Sequence, residues 1–242
     1  MNSESSRELA RRIIELFFIR RDVYGLETES GWKTVKKPVT INLVMGHLQG
    51  KYCLGAHPIG KKGECKWIGW EADSASLTPP LISRILKSFD RRAILIHETG
   101  GRSIHVKVFF RYAIKSRDAY WLARRVAEGL RGVEFFPKQP SIGRGYGNFM
   151  RLPLGRHRKT GRIGVLIQPK SLFEVVPCRP PAPPTFSSIA EECPFRVREA
   201  RMVDGKIELL DTYSCTYYDG SIGRCDQQIC PRRRGSWSVE GH

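Results

Sequence analysis

The stretch CKWIGWEAD, Cys65 to Asp73, decides the fold of this chain. Its first half carries the apolar side chains of a buried β-strand, including two tryptophans. Its second half carries two carboxylates, Glu71 and Asp73, one residue apart. Because successive side chains of a strand point to opposite faces, both acids share one face, and Ile68 and Trp70 share the other. We therefore predict a strand with one face in a core and the other at a polar site.

The elements that follow this strand come in a recognisable order. Thr78, a capping residue followed by Pro79 in the first turn, and Ser116, a second candidate cap, predict two helix starts, and an apolar stripe at helical spacing follows each of them. Short apolar or strictly alternating stretches predict the strands Lys66–Asp73, Ala93–Thr99, Ser103–Phe110 and Val133–Gln139. The order strand, helix, strand, strand, helix, strand is that of the ferredoxin-like arrangement, which RNA-recognition modules also use.

This βαββαβ arrangement is an α+β fold and makes specific predictions about the sheet. The first and third strands are central, the fourth lies against the first, and both helices cover one face. The other face is left open for function. Side-chain alternation places three polar residues of the third strand and one of the fourth on this open face, beside Glu71 and Asp73. These residues are Ser103, His105, Lys107 and Glu134.

Three carboxylates on one patch of sheet repel one another and repel phosphate, so their presence together needs an explanation. Mg²⁺ and Mn²⁺ prefer oxygen ligands, and two such ions support phosphoryl transfer. The alternative is that Glu71 and Asp73 end a solvated strand while Glu134 pairs with a nearby arginine. The topology and the neighbouring Ser103-x-His105 pair favour the metal site.

A dense basic stretch, YGNFMRLPLGRHRKTGR at 146–162, follows the fourth strand. Its arginine, lysine and histidine side chains suit a triphosphate or a nucleic-acid backbone. A charged surface loop is the alternative interpretation. The position of this stretch shortly after Glu134 favours the binding interpretation.

The overall composition supports a nucleic-acid partner. Lysine and arginine total 41 against 24 acidic residues, a formal net charge of +17, and such an excess indicates a polyanionic partner. No apolar run approaches the ~18 residues that a membrane span requires, and residues 1–6 lack a secretory signal pattern. Seven cysteines, an odd count, argue against a secreted disulfide framework. We expect a cytoplasmic protein without a membrane partner.

The regions outside the βαββαβ unit are less regular. Residues Ser3–Arg20 predict a helix, and PVTINLVMGHLQG at 38–50 suits either a helix ended by Gly50 or a strand. The proline-rich segment at 176–190 predicts a linker before an extension at 191–242. This extension holds four cysteines that suit either a Zn²⁺ site or buried thiols. They are Cys193, Cys215, Cys225 and Cys230.

Several stretches together resemble the archaeo-eukaryotic primase superfamily, in particular the primase-polymerase domains of mobile-element, conflict and CRISPR-associated systems. The resemblance spans most of residues 15–170. It rests on FFIRRDVYG (17–25), HLQGKYCLGAHPI (47–59), CKWIGWEAD, ETGGRSIHVKVFF (98–110), VEFFPKQ (133–139) and GNFMRLPLGRHRKTGR (147–162). The resemblance implies a primase-polymerase domain at residues 1–175, with an N-terminal α/β layer at 1–60 and a catalytic ferredoxin-like part at 61–175.

The resemblance also implies roles for individual residues. The ligands of the catalytic Mg²⁺ or Mn²⁺ would be Glu71, Asp73 and Glu134. The residues that bind the incoming nucleotide would be Ser103, His105, Arg151, His157 and Lys159. Lys107 stands where the superfamily commonly has an apolar residue, and it would touch a phosphate or pair with an acid. Glu71 stands where the superfamily usually has aspartate, and the extra methylene would move its oxygens by ~1.5 Å.

The leading hypothesis is template-dependent nucleotidyl transfer by a DNA primase, a DNA polymerase, or both. The partners would be a DNA template, a primer and dNTPs or NTPs. The chain has no helicase motif, so a helicase or nuclease partner would be another protein. One alternative is a non-catalytic nucleic-acid-binding module on the same fold, against which the three acids argue. Another is a metal-dependent nuclease, against which the Ser-x-His pair and the basic stretch argue.

Overall fold

The computed structural model describes residues 3–73, 78–143, 145–181, 196–203, 206–215 and 223–224. The chain divides into two compact units, residues 1–181 and 182–242. The helices of the first unit are α1 (Ser3–Phe17), α2 (Ile41–Leu48), α3 (Thr78–Ser88) and α4 (Ser116–Ala127). In the described ranges, none of the helices has the length and apolar character needed to cross a membrane.

The strands of the first unit belong to two sheets. They are β1 (Tyr24–Thr28), β2 (Gly31–Val35), β3 (Leu54–Ala56), β4 (Glu64–Ala72), β5 (Ile94–Glu98), β6 (Ile104–Lys115), β7 (Val133–Phe136), β8 (Met150–Arg151) and β9 (Leu166–Gln168). Short 3-10 helical turns lie at Arg91–Ala93 and Leu172–Glu174.

The larger sheet has five antiparallel strands in the order β7-β4-β6-β5-β9. Its first four strands have the predicted ferredoxin-like order, in which the first and third strands of the βαββαβ unit are central. The α+β fold class and this topology are therefore confirmed. β9 was not predicted, because three residues are too few to show an alternating pattern.

One face of the larger sheet packs against α3 and α4. Trp70 of β4 lies in the same buried cluster as Ile85 of α3 and Ala123 of α4. The indole Nε1 of Trp70 donates to the backbone carbonyl of Ala123 at 2.8 Å, so the buried polar atom is paired. A register shift between Cys65 and Trp67 interrupts the alternation, so Cys65 joins this cluster and Trp67 lies on the opposite face.

The start of α4 differs in one detail from the prediction. The helix begins at Ser116 as expected, but β6 runs directly into it and Lys115 occupies the N-cap position. The Ser116 hydroxyl donates to the carbonyl of Pro140 at 2.7 Å, whereas a capping serine would accept from an N–H of the first helical turn. The predicted capping role of Ser116 is therefore wrong, because its side chain binds the backbone of the segment that follows β7.

The other face of the larger sheet is largely covered, which corrects the expectation of an open face. The rings of Phe17 in α1 and Phe109 in β6 meet edge to face, with centroids 5.1 Å apart. Trp67 Nε1 donates to the carbonyl of Phe17 at 2.9 Å. The end of this face that carries Glu71 remains accessible. The polar site is therefore a cleft at one end of the sheet.

The layer that covers this face contains the smaller sheet, with strands in the order β2-β1-β3-β8. The β1–β2 hairpin lies within residues 1–60, where the resemblance implied an α/β layer, but in a segment whose pattern predicted no strand. The helix interpretation of residues 38–50 is confirmed by α2, where Thr40 Oγ1 accepts from the Leu43 N–H at 3.1 Å. Gly50 follows the helix with φ of +73°. Because β8 comes from residues 150–151, this layer also includes part of the basic stretch.

The second unit contains an antiparallel sheet of β10 (Arg196–Val203), β11 (Lys206–Cys215) and β12 (Gly223–Arg224), in that order. The Zn²⁺ prediction lies outside the described residues, because it depends on the side chains of Cys193, Cys215, Cys225 and Cys230. Cys178, in the segment predicted as a linker, donates its backbone N–H to the Phe109 carbonyl at 3.0 Å.

We predict that Ile85→Ala lowers the free energy of unfolding by about 2–5 kcal/mol, because it leaves a cavity between α3 and β4. Ile85 is fully buried, whereas the adjacent Leu86 is 45% exposed. Leu86→Ala is the matched control and should change the free energy of unfolding by less than about 0.5 kcal/mol. Urea unfolding followed by circular dichroism measures both, and equal losses would contradict the packing of α3.

Candidate active site

Glu71 lies at the centre of a row of polar side chains that crosses three strands. Its backbone is in register with Glu134 of β7 on one side and with His105 of β6 on the other. Such residues project from the same face, with Cβ atoms about 4.5–5.5 Å apart. Asp73 follows β4 on this face, and its N–H donates to the Gly132 carbonyl at 3.5 Å. The register thus brings the three carboxylates to one end of the sheet.

His105 determines the charge state of Glu71. Its Nε2 lies 3.3 Å from Glu71 Oε2. Burial lowers the pKa of His105 to about 4, so the imidazole is neutral at pH 7 and donates its Nε2–H to the carboxylate. Burial alone would raise the pKa of Glu71, but hydrogen bonds from His105 and Ser103 outweigh it and lower that pKa to about 2. Glu71 is therefore an anion at physiological pH.

The other two carboxylates are exposed, and neighbouring side chains hold them. Ser103 Oγ donates to Asp73 Oδ1 at 3.5 Å. Lys138 Nζ donates to Glu134 Oε2 at 2.5 Å, and the two charges form an ion pair. His105 therefore holds Glu71 and Lys138 holds Glu134, while Ser103 lies beside both Asp73 and Glu71.

The donor chemistry at this end of the sheet fits a hard divalent cation. Mg²⁺ and Mn²⁺ take carboxylate oxygens, and Glu71, Asp73 and Glu134 share one face. In the conformation seen, the three side chains are held by His105, Ser103 and Lys138. Within the described part of the chain, no group of three His, Cys, Asp or Glu residues has the arrangement of a metal site. A cation would therefore compete with Lys138 for Glu134 and with Ser103 for Asp73.

Lys107 lies beneath the site. It is fully buried, and its Nζ donates to His97 Nε2 at 3.0 Å and to the Arg151 carbonyl at 3.2 Å. Burial lowers the pKa of Lys107 to about 7 and lowers the pKa of His97 well below its usual value. His97 Nδ1 donates to the Glu98 carbonyl at 3.3 Å, which leaves Nε2 as the acceptor. Lys107 is therefore paired with His97 and the Arg151 carbonyl in this structure, and its expected contact with a phosphate or an acid stays a prediction.

The polar row lines a cleft of about 390 Å³ whose walls come from both sheets. The larger sheet contributes Glu71, His105 and Glu134. The smaller sheet contributes Trp32 of β2 and Arg151 of β8. Further lining residues are Thr99, Arg102, Ser103, Lys138, Phe149 and His157. The cleft therefore combines acids at one sheet end with basic and aromatic side chains.

Arg151, one of the predicted nucleotide-binding residues, is engaged within the protein. Its guanidinium donates to both carboxylate oxygens of Glu27, at 2.9 and 3.0 Å, and each of the two side chains is 10% exposed. The guanidinium carbon also lies 4.9 Å from the centre of the Trp32 ring. The charge of Arg151 is therefore balanced by Glu27, and the residue forms part of the cleft wall.

His157 is packed against the glycine turn that precedes β6. A Cβ on Gly101 would lie 2.9 Å from His157 Nε2, so the glycine permits this approach. Thr160 Oγ1 donates to the Gly100 carbonyl at 2.8 Å, and the Thr160 N–H donates to His157 Nδ1 at 3.3 Å. The basic stretch and the glycine turn are thus in contact. Lys159 is exposed and is not one of the residues that line the cleft.

Five residues at this site were missed in the sequence. The signal for two of them was the stretch ETESGW at 27–32, in which Ser30-Gly31 marks a turn between alternating residues. Arg102, Lys138 and Phe149 lie in the stretches 98–110, 133–139 and 147–162, which were identified because of other residues. The five residues are Glu27, Trp32, Arg102, Lys138 and Phe149.

Comparison with family models identifies the kind of domain. Residues 12–174, more than half of the chain, match the family model described as "TOTE conflict system, Archaeo-Eukaryotic Primase domain". A comparison with curated proteins finds no match. Among solved structures, the AEP domain of the cyanophage S-2L Primase-Polymerase (PrimPol) is similar, with 17% identity and a TM-score of 0.47. That similarity covers 71% of this chain and 98% of the cyanophage chain.

Buried Lys107 predicts a pH-dependent stability. Its pKa falls from the ordinary 10.5 to about 7 on folding, so the unfolded chain binds more protons between these values. This group therefore makes stability rise with pH by up to about 1.4 kcal/mol per pH unit, and the gain is lost as pH falls towards 7. Lys107→Met keeps the volume and should remove this slope. Urea unfolding of both proteins between about pH 7 and 9 measures it.

The comparison isolates Lys107 because the neighbouring groups, His97, His105, Glu71 and Arg151, are the same in both proteins. An identical pH dependence of the free energy of unfolding in the wild type and in Lys107→Met would contradict this account of the buried lysine.

Proposed function

The chain belongs to the archaeo-eukaryotic primase domain family of TOTE conflict systems, and we propose that it catalyses template-dependent nucleotidyl transfer from nucleoside triphosphates. The activity would be that of a DNA primase, a DNA polymerase, or both. One observation carries the proposal. In the row across β6, β4 and β7, Glu71 stands between His105 and Glu134, and Asp73 follows two residues later.

Glu71, Asp73 and Glu134 are the residues that would hold Mg²⁺ or Mn²⁺. Such cations, when bound there, would favour ionisation of an attacking hydroxyl and stabilise negative charge on phosphate oxygens. His105 supports this role, because its hydrogen bond keeps Glu71 ionised with its oxygens oriented along the strand end. Metal-binding residues are commonly held in this way by a second group behind them.

The basic side chains in the cleft would bind the triphosphate. Arg102 and Lys138 line the same cleft as the acids and would form charge-assisted hydrogen bonds to phosphate, which are strong and directional. Burial lowers the pKa of His157, so it would donate from Nε2 as a neutral imidazole.

Ser103, which lies between the glycine turn and β6, would contact the phosphates directly. The phosphate contact expected of His105 would require its Nε2–H to turn from Glu71 Oε2 to a phosphate oxygen. Lys159 would act from outside the cleft, where its exposed ammonium adds to the positive field.

Two predicted nucleotide-binding residues would act indirectly. Arg151 is paired with Glu27, so it would hold the cleft wall in position for the nucleotide. Lys107 would hold β8 against the larger sheet through the Arg151 carbonyl. Both residues would therefore be positioning residues in the proposed reaction.

The glutamate at position 71 has a structural explanation in this proposal. Its carboxylate reaches His105 Nε2 at 3.3 Å. Aspartate would withdraw the oxygens by ~1.5 Å and leave that buried nitrogen without this acceptor. We infer that Glu71 and His105 form a matched pair in this chain.

The partners would be a DNA template and primer, which suit the formal net charge of +17. Strand separation would come from a helicase or nuclease partner supplied by another protein. The Zn²⁺ site of the C-terminal cysteines stays a prediction.

Primer extension with the full chain tests the proposal. We expect the wild type to extend a labelled DNA primer on a template with dNTPs or NTPs in the presence of Mg²⁺ or Mn²⁺. Asp73→Ala removes a metal-binding carboxylate, so the rate should fall by at least about 100-fold. Glu15→Gln changes an exposed carboxylate on α1 and should extend the primer at the wild-type rate.

The proposal fails if the wild type incorporates no nucleotide with either metal, or if Asp73→Ala extends as fast as the wild type. DNA binding without incorporation would support the non-catalytic nucleic-acid-binding module instead. An unprimed template in the same assay separates priming from extension.

A further inference from the structure

Trp32 is an exposed aromatic residue to which the proposed chemistry gives no role. It is 37% exposed and lies on β2, an outer strand of the smaller sheet. Among the exposed large apolar side chains in the part of the chain that the structure describes, Trp32 is the one that lines the cleft. An exposed indole forgoes the free energy that burial would provide, so its place in a polar cleft needs a reason.

A buried ion pair supports Trp32 from one side. Trp32 and Glu27 are directly opposite each other in the β1–β2 register, so their side chains share one face of the hairpin. Glu27 binds both terminal nitrogens of Arg151, and the Arg151 guanidinium carbon lies 4.9 Å from the centre of the Trp32 ring. The Glu27 carboxylate thus fixes the guanidinium, and the guanidinium fixes the indole through a cation–π contact.

Phe149 supports Trp32 from a second side. The two ring centroids are 5.2 Å apart, and the rings are tilted by 50°. Phe149 occupies space that two glycines leave free. A Cβ on Gly25 of β1 would lie 2.5 Å from the Phe149 ring, and a Cβ on Gly55 of β3 would lie 2.7 Å from it. The sheet therefore has a recess that holds Phe149, and Phe149 in turn limits the movement of Trp32.

The charges around Trp32 indicate which chemistry would cover it. Arg102, Lys138 and His157 line the same cleft and suit phosphate groups. Aromatic faces combined with basic side chains are the usual means of binding nucleotides without sequence preference, because every base has a flat π face. A peptide or a lipid would leave this pairing of one exposed ring with phosphate-binding groups unexplained.

We propose that Trp32, held by Phe149 and Arg151, is a stacking surface for a nucleobase. This inference deepens the proposed function and rests on it, because it adds base binding to the same cleft. The base belongs to a nucleoside triphosphate or to a nucleotide of a DNA strand. Stacking on an indole accepts purines and pyrimidines alike, so the surface would add affinity without reading sequence.

Binding measurements on the full chain test the proposal with ligands that differ only in the base. The free-nucleotide pair is dATP and inorganic tripolyphosphate. The strand pair is a labelled single-stranded oligonucleotide and an abasic oligonucleotide of the same length. We expect Trp32→Ala to weaken binding of a base-bearing ligand by about tenfold and to leave its base-free partner unchanged.

Two further variants serve as controls. Trp32→Phe keeps an aromatic face and should retain most of the affinity for the base-bearing ligand. Trp121→Phe alters a tryptophan on α4, outside the cleft lining, and should bind every ligand as the wild type does. Tryptophan fluorescence adds a direct signal, because quenching by dATP or by the oligonucleotide should be lost in Trp32→Phe and kept in Trp121→Phe.

The arms of the experiment distinguish the source of the base. Loss confined to dATP assigns the surface to the free nucleotide, and loss confined to the oligonucleotide assigns it to a DNA strand. The proposal is overturned if Trp32→Ala binds both base-bearing ligands like the wild type. It is also overturned if the base-free ligands weaken equally, since Trp32 would then only support the shape of the cleft.

Primer extension in the same samples separates this inference from the proposed function. If base binding depends on Trp32 but the wild type incorporates no nucleotide, the stacking surface stands and nucleotidyl transfer fails. If the wild type extends primers while Trp32→Ala binds bases normally, nucleotidyl transfer stands and the stacking surface fails.

Discussion

The antiparallel register of β4 between β6 and β7 is the constraint on which the site depends. It sets Glu71 opposite both His105 and Glu134. A slip of one residue would turn these side chains to the face that the helices cover. The buried tryptophan on the neighbouring position, Trp70, opposes such a slip, because its ring packs under α4 and its Nε1 is bonded to Ala123. The apolar core thus fixes where the carboxylates stand.

The smaller sheet forms the second wall of the cleft at this strand end. Its face contributes the Glu27–Arg151 ion pair and Trp32, while α1 covers the rest of the larger sheet through Phe17. Lys107 of the larger sheet binds the Arg151 carbonyl of the smaller sheet. Its burial is unfavourable for the charged form and lowers its pKa to about 7. The chain already has a formal net charge of +17. A buried positive charge such as that of Lys107 is therefore stable only with its polar partners.

The sequence carried enough information for the topology and for the row of polar residues. Alternation over the long strands β4 and β6 is a local pattern, so the faces of Glu71 and His105 could be predicted from it. Alternation could not show the covering of the second face, which depends on contacts between distant residues such as Trp67 and Phe17. Only the family resemblance implied an α/β layer at residues 1–60. The partners of Lys107 were missed for the same reason, since its strand pattern is that of a polar residue facing solvent. Two-residue β8 is too short to give any pattern.

The central claim is that Glu71, Asp73 and Glu134 act together as one site for a divalent cation. Calorimetric titration of Mn²⁺ into the wild type and into Glu71→Gln, Asp73→Asn and Glu134→Gln tests it most directly, because amides keep the shape of each side chain and remove its charge. The account predicts Mn²⁺ binding by the wild type and a loss of at least about tenfold in affinity in each variant. Equal Mn²⁺ affinity in all four proteins would contradict it.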